Sequence, residues 1–193
     1  FLAEETGQIG EGDFVWIIDP LDGTTNFLHS FPHFAVSIAL QHKEILDQAV
    51  IYDPLRQELF TASKGNGAHL NNKRIRVSNK KTLDGALLGT GFPYNDEIAA
   101  THFIESFKAL FPEVAGIRRA GVASLDLAYV ACGRLDGFWE FGLKPWDIAA
   151  GALIIQEAGG INVEITGEID FMKTGNIMSA NPKMIKSMLK ILR

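Results

Sequence analysis

The sequence predicts a layered α/β protein (α+β layered), with two sheets. Three observations carry this. The first half reads as closely spaced strands, and the second half alternates helix and strand. One stretch, Ile148 to Ile155, is almost wholly apolar; a helix apolar on every side must be buried between layers.

The elements follow in order. The chain opens on Phe1-Leu2-Ala3-Glu4-Glu5, which reads as the end of a strand and predicts a sequence that starts inside a domain. Residues 14–18 form an apolar run that ends at Asp19-Pro20, a pair expected to stop a strand. Residues 34–40 and 46–52 are two more strands. Residues 58–62 and 68–70 flank Lys64-Gly65-Asn66-Gly67 as a hairpin, and 86–90 is again a strand. Ile98, Phe103, Ile104, Phe107 and Leu110 have helical spacing, so 96–110 is a helix that ends before Pro112. Strands are expected at 116–120, 136–141, 161–165 and 177–180. Helices are expected at 125–132, stopped by Gly133, and at 147–158, stopped by Gly159-Gly160. A last helix covers 182–192, with Pro182 at its start. No repeat or low-complexity linker interrupts the 193 residues, which predict a single domain over 1–193.

Composition excludes several functions. The formal charge is −5, from 18 basic and 23 acidic side chains, and lacks the clustered basic excess of a nucleic-acid-binding surface. The densest basic patch, Asn71 to Arg76, reads as a solvated hairpin edge. No stretch reaches the roughly 20 apolar residues of a membrane span, and no signal peptide is visible. Cys132, the single cysteine, cannot form an internal disulfide; among Ala128, Tyr129, Val130 and Ala131 it reads as an inert buried thiol. A reducing, cytoplasmic setting is expected.

The chemistry lies in the acidic residues. In Trp16-Ile17-Ile18-Asp19-Pro20-Leu21-Asp22-Gly23-Thr24-Thr25, an apolar strand delivers Asp19, a turn follows, and Asp22 comes three residues later. Two carboxylates facing one small volume repel unless a cation lies between them. Gly23 and the two threonines suit a tight turn opening a short helix, whose free N–H groups bind phosphate. Carboxylate oxygens beside a phosphate cradle suit Mg²⁺. Taken alone, Asp-Pro and Asp-Gly are also ordinary turn dipeptides. Asp147 stands at the start of the apolar helix, where it is an N-cap or, equally, a group carried toward the interior in need of a counter-charge. Glu4-Glu5 by itself reads as surface. His29 and His33, close to the turn, read as packing or surface hydrogen bonding.

Together, Glu4-Glu5, Asp19 to Thr24, and Trp146-Asp147 through Glu157-Ala158-Gly159-Gly160 resemble, in order and spacing, the inositol monophosphatase family, in particular its bacterial branch. The resemblance spans essentially the whole chain. It implies an inositol monophosphatase/sugar phosphatase fold, an alternating α-β-α-β-α sandwich whose N-terminal helical layer, with an aspartate that works beside Thr24, is missing from this chain. It implies metal ligation by Glu5, Asp19, the Leu21 carbonyl, Asp22 and Asp147, with two or three Mg²⁺ per site. Gly23, Thr24 and Thr25 would hold phosphate, and Thr24 would orient the attacking water. Glu140 would accept hydrogen bonds from inositol hydroxyls, and the loop Gly121, Val122 and Ala123 would touch the ring. Val122 stands where many relatives carry Ser or Thr, so a hydroxyl contact is expected to be lost.

The function the resemblance implies is Mg²⁺-dependent, lithium-sensitive hydrolysis of inositol monophosphate by direct attack of water. Alternatives are a fructose-1,6-bisphosphatase-like or broad phosphomonoesterase, and an interaction protein of the transcription machinery, which some bacterial relatives bind. The turn Thr24-Thr25-Asn26 favours the first over nucleotide-bisphosphate and histidinol-phosphate relatives, which carry lysine there. A homodimer acting on a small phosphate ester, with no direct nucleic-acid or membrane partner, is expected.

Overall fold

The structure, a computed structural model, describes residues 1–94 and 96–192. The first sheet contains β1 (Leu2–Ala3), β2 (Gly7–Gln8), β3 (Phe14–Asp22), β4 (Ala35–His42), β5 (Ile45–Asp53), β6 (Glu58–Ser63), β7 (Gly67–Leu70) and β8 (Lys73–Arg74), in the order β2-β1-β3-β4-β5-β6-β7-β8. Its neighbours are antiparallel except β1 against β3. The second sheet contains β9 (Leu87–Thr90), β10 (Gly116–Arg118), β11 (Gly137–Glu140), β12 (Ile161–Val163) and β13 (Ile177–Ala180), in the order β10-β9-β11-β13-β12. The helices are α1 (Thr24–Leu28), α2 (Glu97–Leu110), α3 (Ala123–Ala131), α4 (Pro145–Glu157), α5 (Phe171–Thr174) and α6 (Pro182–Leu192). None of the described helices is long and apolar enough to cross a membrane.

The layers run sheet, α3 with α4, sheet, α2 with α6. Alternation sets the first interface: Ile17, Ala39, Ala49, Ile51, Phe60 and Ala62 point inward onto α3 and α4. The other face carries Trp16, Tyr52 and Leu59, all exposed. The expected apolar helix is α4, which buries every residue from Ile148 to Ile155. Each large aliphatic side chain removed from water there contributes roughly 1.5–3 kcal/mol. Gly151 lets α3 approach closely, since a Cβ there would lie 2.5 Å from Leu127 Cβ. On the far side, Met184, Ile185 and Met188 of α6 pack with Phe103 and Leu110 of α2 against the second sheet, while Lys183, Lys186 and Lys190 face water.

The expected strands and helices occur, with the two-residue strands β2 and β8 added and with three further differences. Asp19-Pro20 does not stop β3. Asp19 pairs with Ser37 and Asp22 with Ala35, so Pro20 and Leu21 of β3 oppose the single residue Val36 of β4, and a bulge forms. A bulge tolerates the missing N–H of Pro20. Asp147 is not the N-cap of α4 but its third residue, because Pro145 begins the helix. The short helix α5 was not expected from the sequence.

Candidate active site

The bulge decides the geometry of the site. In a regular strand, residues three apart face opposite sides. The extra residue in β3 restores parity, so Asp19 and Asp22 both turn inward, 1% and 8% exposed. α4 brings Asp147 to the same place, and its start is tied to the sheet by the Ser37 hydroxyl, which donates to the Trp146 carbonyl at 3.1 Å. Carboxylate oxygens of Asp19, Asp22 and Asp147 lie within 4.8 Å of one another.

Each carboxylate is held by a backbone donor. Leu21 N–H donates to Asp19 at 2.9 Å, Ser124 N–H to Asp22 at 2.8 Å, and Lys144 N–H to Asp147 at 2.7 Å. Burial and, after it, the charge of Asp22 push Asp19 up to about 7. Burial and Asp147 raise Asp22 to about 7. Burial raises Asp147 to about 7, against the bond from Lys144 and with help from Asp19. Two buried carboxylates and one half-buried, repelling one another and offering hard oxygen donors, fit a divalent cation such as Mg²⁺ or Mn²⁺.

These groups line a cleft of about 520 Å³. Leu21, Gly23, Thr24 and Thr25 line it too. The Thr24 hydroxyl donates to the Leu21 carbonyl at 3.0 Å. Gly23 has φ 92°, the left-handed region that glycine enters freely, and opens α1, whose first N–H groups have no partner inside the helix.

Other expected residues fall differently. Glu4 lines the cleft; Glu5 is exposed and lies outside it. The structure brings Glu4, and not the expected Glu5, to the cleft, and register gives the reason. Ala3 of β1 is level with Ile18 of β3, so Glu4 is the residue beside Asp19. Gly121 lines the cleft, whereas Val122 and Ala123 are buried at the start of α3 and do not. The Val122 side chain faces Gly23, where a Cβ would lie 2.7 Å from Val122 Cγ2. It packs under the turn. Glu140 lines a neighbouring cavity of about 690 Å³ that shares Tyr94 with the first, and its carboxylate occupies the space that a Cβ on Gly91 would need. Burial, with Asp126 next, raises Glu140 well above the ordinary range.

Sequence reasoning missed Asn26, Tyr94 and Arg119, which also line the cleft. Asn26 sits inside the motif that was read. Its Nδ2 donates to the carbonyls of His33 at 2.9 Å and Ala120 at 3.0 Å, stapling the turn to the loop before α3. Tyr94 and Arg119 carry no motif and gave no signal. Asp126, 2% exposed on α3, was also missed. Burial and then the charge of Asp22 raise it, against Arg119.

The model of the inositol monophosphatase family matches residues 1–193. The chain belongs to the inositol monophosphatase family. Its relatives include the Nus factor SuhB of Pseudomonas aeruginosa, 56% identical across the whole chain and 73% of that protein, and the Nus factor SuhB of Escherichia coli, 53% identical with the same coverage. Among solved structures, the chain is similar to the extragenic suppressor protein suhB of Bartonella henselae, with TM-score 0.95, 44% identity, and 100% and 74% of the two chains covered. It is similar also to the inositol monophosphatase of Anabaena (Nostoc), with TM-score 0.95, 41% identity, and 99% and 77% covered. The family identifies a phosphatase fold and is typically metal-dependent, in agreement with the three-carboxylate cluster.

Proposed function

We propose that this chain carries the catalytic core of a Mg²⁺-dependent phosphatase that hydrolyses inositol monophosphate to inositol and phosphate. The observation that carries the reading is the set of three carboxylates within 4.8 Å of one another beside the Gly23 turn. Asp19, Asp22, Asp147 and Glu4, with the Leu21 carbonyl, would hold two or three Mg²⁺. A divalent cation held there lowers the pKa of water and supplies a nucleophile near neutral pH. The N–H groups of Gly23, Thr24 and Thr25 bind the phosphate oxygens, where charge grows in the transition state. The Thr24 hydroxyl spends its proton on the Leu21 carbonyl. Its oxygen is left to accept a proton from water and so to orient the attack. Glu140 accepts hydrogen bonds from hydroxyls of the leaving group, from the neighbouring cavity that shares Tyr94 with the cleft.

The test is phosphate release from inositol 1-phosphate by the full-length protein, with and without Mg²⁺ and with added Li⁺. Release that needs Mg²⁺ and falls with Li⁺ supports the reading. Release from fructose 1,6-bisphosphate alone would assign the bisphosphatase alternative.

A second reading is favoured by one observation: relatives at 53–56% identity bear the name Nus factor. A role with the transcription machinery is compatible with activity, because it need not use the cleft. An Asp22→Asn variant separates the two: a scaffold keeps its partner in a pull-down and loses only phosphate release. A homodimer is also expected, and sedimentation of the full-length protein checks it.

A further inference from the structure

α3 begins without a cap of its own. Its N-cap is Val122, which has no side-chain oxygen, and no side chain caps the helix from that position. The free donor at the second helical residue, the Ser124 N–H, is taken instead by Oδ2 of Asp22. The carboxylate therefore serves twice. It caps α3, and it lines the cleft with Asp19 and Asp147.

Ser124 carries a second donor at the same spot. The residue is 0% exposed. Its hydroxyl lies near enough to Asp22 to favour the ionised carboxylate, yet the oxygen completes no hydrogen bond among the described residues. Two other buried side-chain atoms share that condition, on His33 and Ser78, and neither residue lines the cleft. A hydroxyl buried without a partner lowers stability, and an alanine of nearly the same shape avoids the loss. Burial and the charge of Asp147 work against an ionised Asp22, whereas the hydroxyl and the N–H of Ser124 work for it. A serine side chain turns among staggered positions, and its proton can be given to whichever acceptor is charged. A second donor to a metal-ligating carboxylate fixes the orientation of its oxygens and strengthens its hold on the ion.

We infer that the Ser124 side chain is a positioning group of the metal centre: its hydroxyl, together with its own N–H, holds the Asp22 carboxylate in place for the cation. The inference rests on the reading of the cleft as a divalent-cation site. It goes beyond that reading by assigning a role to a buried side chain that does not line the cleft.

The experiment is calorimetric titration of Mg²⁺ into the full-length protein, paired with thermal unfolding of the metal-free protein. Ser124→Ala removes one oxygen and keeps the N–H. It should bind Mg²⁺ about tenfold more weakly than the wild type. The melting temperature of the metal-free variant should be equal or higher, because an unpartnered buried hydroxyl has gone. These two readouts separate positioning from packing. Ser124→Cys, similar in size and a weak donor, should fall between wild type and Ser124→Ala in Mg²⁺ affinity. Ser78→Ala, which removes another buried unpartnered hydroxyl, should leave Mg²⁺ binding unaltered. Equal Mg²⁺ affinity in Ser124→Ala and wild type overturns the inference, and so does an equal loss in Ser78→Ala. A weaker affinity accompanied by a lower metal-free melting temperature also overturns it, since that is the pattern of a hydroxyl needed for packing. Should Ser124→Ala not fold, Ser124→Cys decides: wild-type affinity overturns the inference and weakened affinity supports it. A wild-type protein that binds no Mg²⁺ sinks the metal-site reading and this inference together, whereas Mg²⁺ binding that the Ser124 variants leave unchanged sinks the inference alone.

Discussion

The backbone N–H of Ser124 donates to Oδ2 of Asp22 at 2.8 Å, joining residues 102 positions apart. Ser124 lies in the first turn of α3, so the Asp22 carboxylate rests at the positive end of a helix. Burial and Asp147 oppose that support. Asp22→Asn keeps the shape and removes the charge. Its activity should fall by more than the roughly 10–100-fold that losing a hydrogen-bond partner of a metal ligand costs. The rise in melting temperature on adding Mg²⁺ to the wild type should shrink in the variant. Phosphate release and thermal unfolding check these outcomes, and an unchanged Mg²⁺ affinity by calorimetric titration would remove Asp22 from the metal site.

Glu4 and Glu5 are neighbours in the chain and both exposed, but only Glu4 lines the cleft. Glu4→Gln should weaken Mg²⁺-dependent phosphate release, while Glu5→Gln should leave it unaltered. If the second variant loses activity and the first does not, the register of β1 against β3 is wrong for this purpose.

Gly23 and Val122 share one small space. Gly23→Ala places a Cβ 2.7 Å from Val122 Cγ2 and 3.2 Å from the His33 carbonyl, at φ 92°. The left-handed conformation alone costs a non-glycine residue roughly 1–2 kcal/mol. Thermal unfolding should show a loss larger than that. Adding Val122→Ala should recover part of it but not all, because the backbone strain remains.

Glu157 closes the hairpin of β6 and β7 from outside. Its two oxygens accept from the N–H groups of Gly65 and Gly67, each at 2.7 Å. Hydrogen bonds to a charged group contribute about 1.5–3 kcal/mol. Glu157→Ala should lower the denaturant midpoint by an amount of that order and leave kcat unaltered, because the residue is far along α4 from the cleft.

His33 gives a pH dependence. It is 5% exposed, and burial, followed by the Arg56 charge, lowers its pKa below the usual 6.5, with Asp53 acting in the opposite sense. The unfolded chain therefore binds a proton that the folded chain refuses. The stability contributed is present above about 6.5 and is lost as pH falls through that value toward the folded pKa. Melting temperature should drop between pH 7.5 and pH 5, and His33→Asn should flatten part of the drop. An identical slope in the variant would assign the effect to other groups.

Much of the fold was legible. Strand alternation, the apolar α4 and the turn glycines are local signals, and β13 and α6 have the bounds their patterns give. The missed pieces lacked such signals. α5 is one turn long, too short to show a period. The continuation of β3 through Pro20 depends on which strand lies beside it, because a bulge exists only relative to a partner. Tyr94 and Arg119 come from loops far apart in the chain, so their pairing is a property of the second sheet and not of any motif.

By itself, the amino-acid sequence determined the family, the acidic residues and the glycine turn, because spacing along the chain fixes what a short segment can do. The tertiary structure decided which of two adjacent glutamates meets the cleft, that Val122 packs under the turn, and that an arginine stands over the site. Each of these depends on the register between segments brought together by burial, and no local pattern encodes that register.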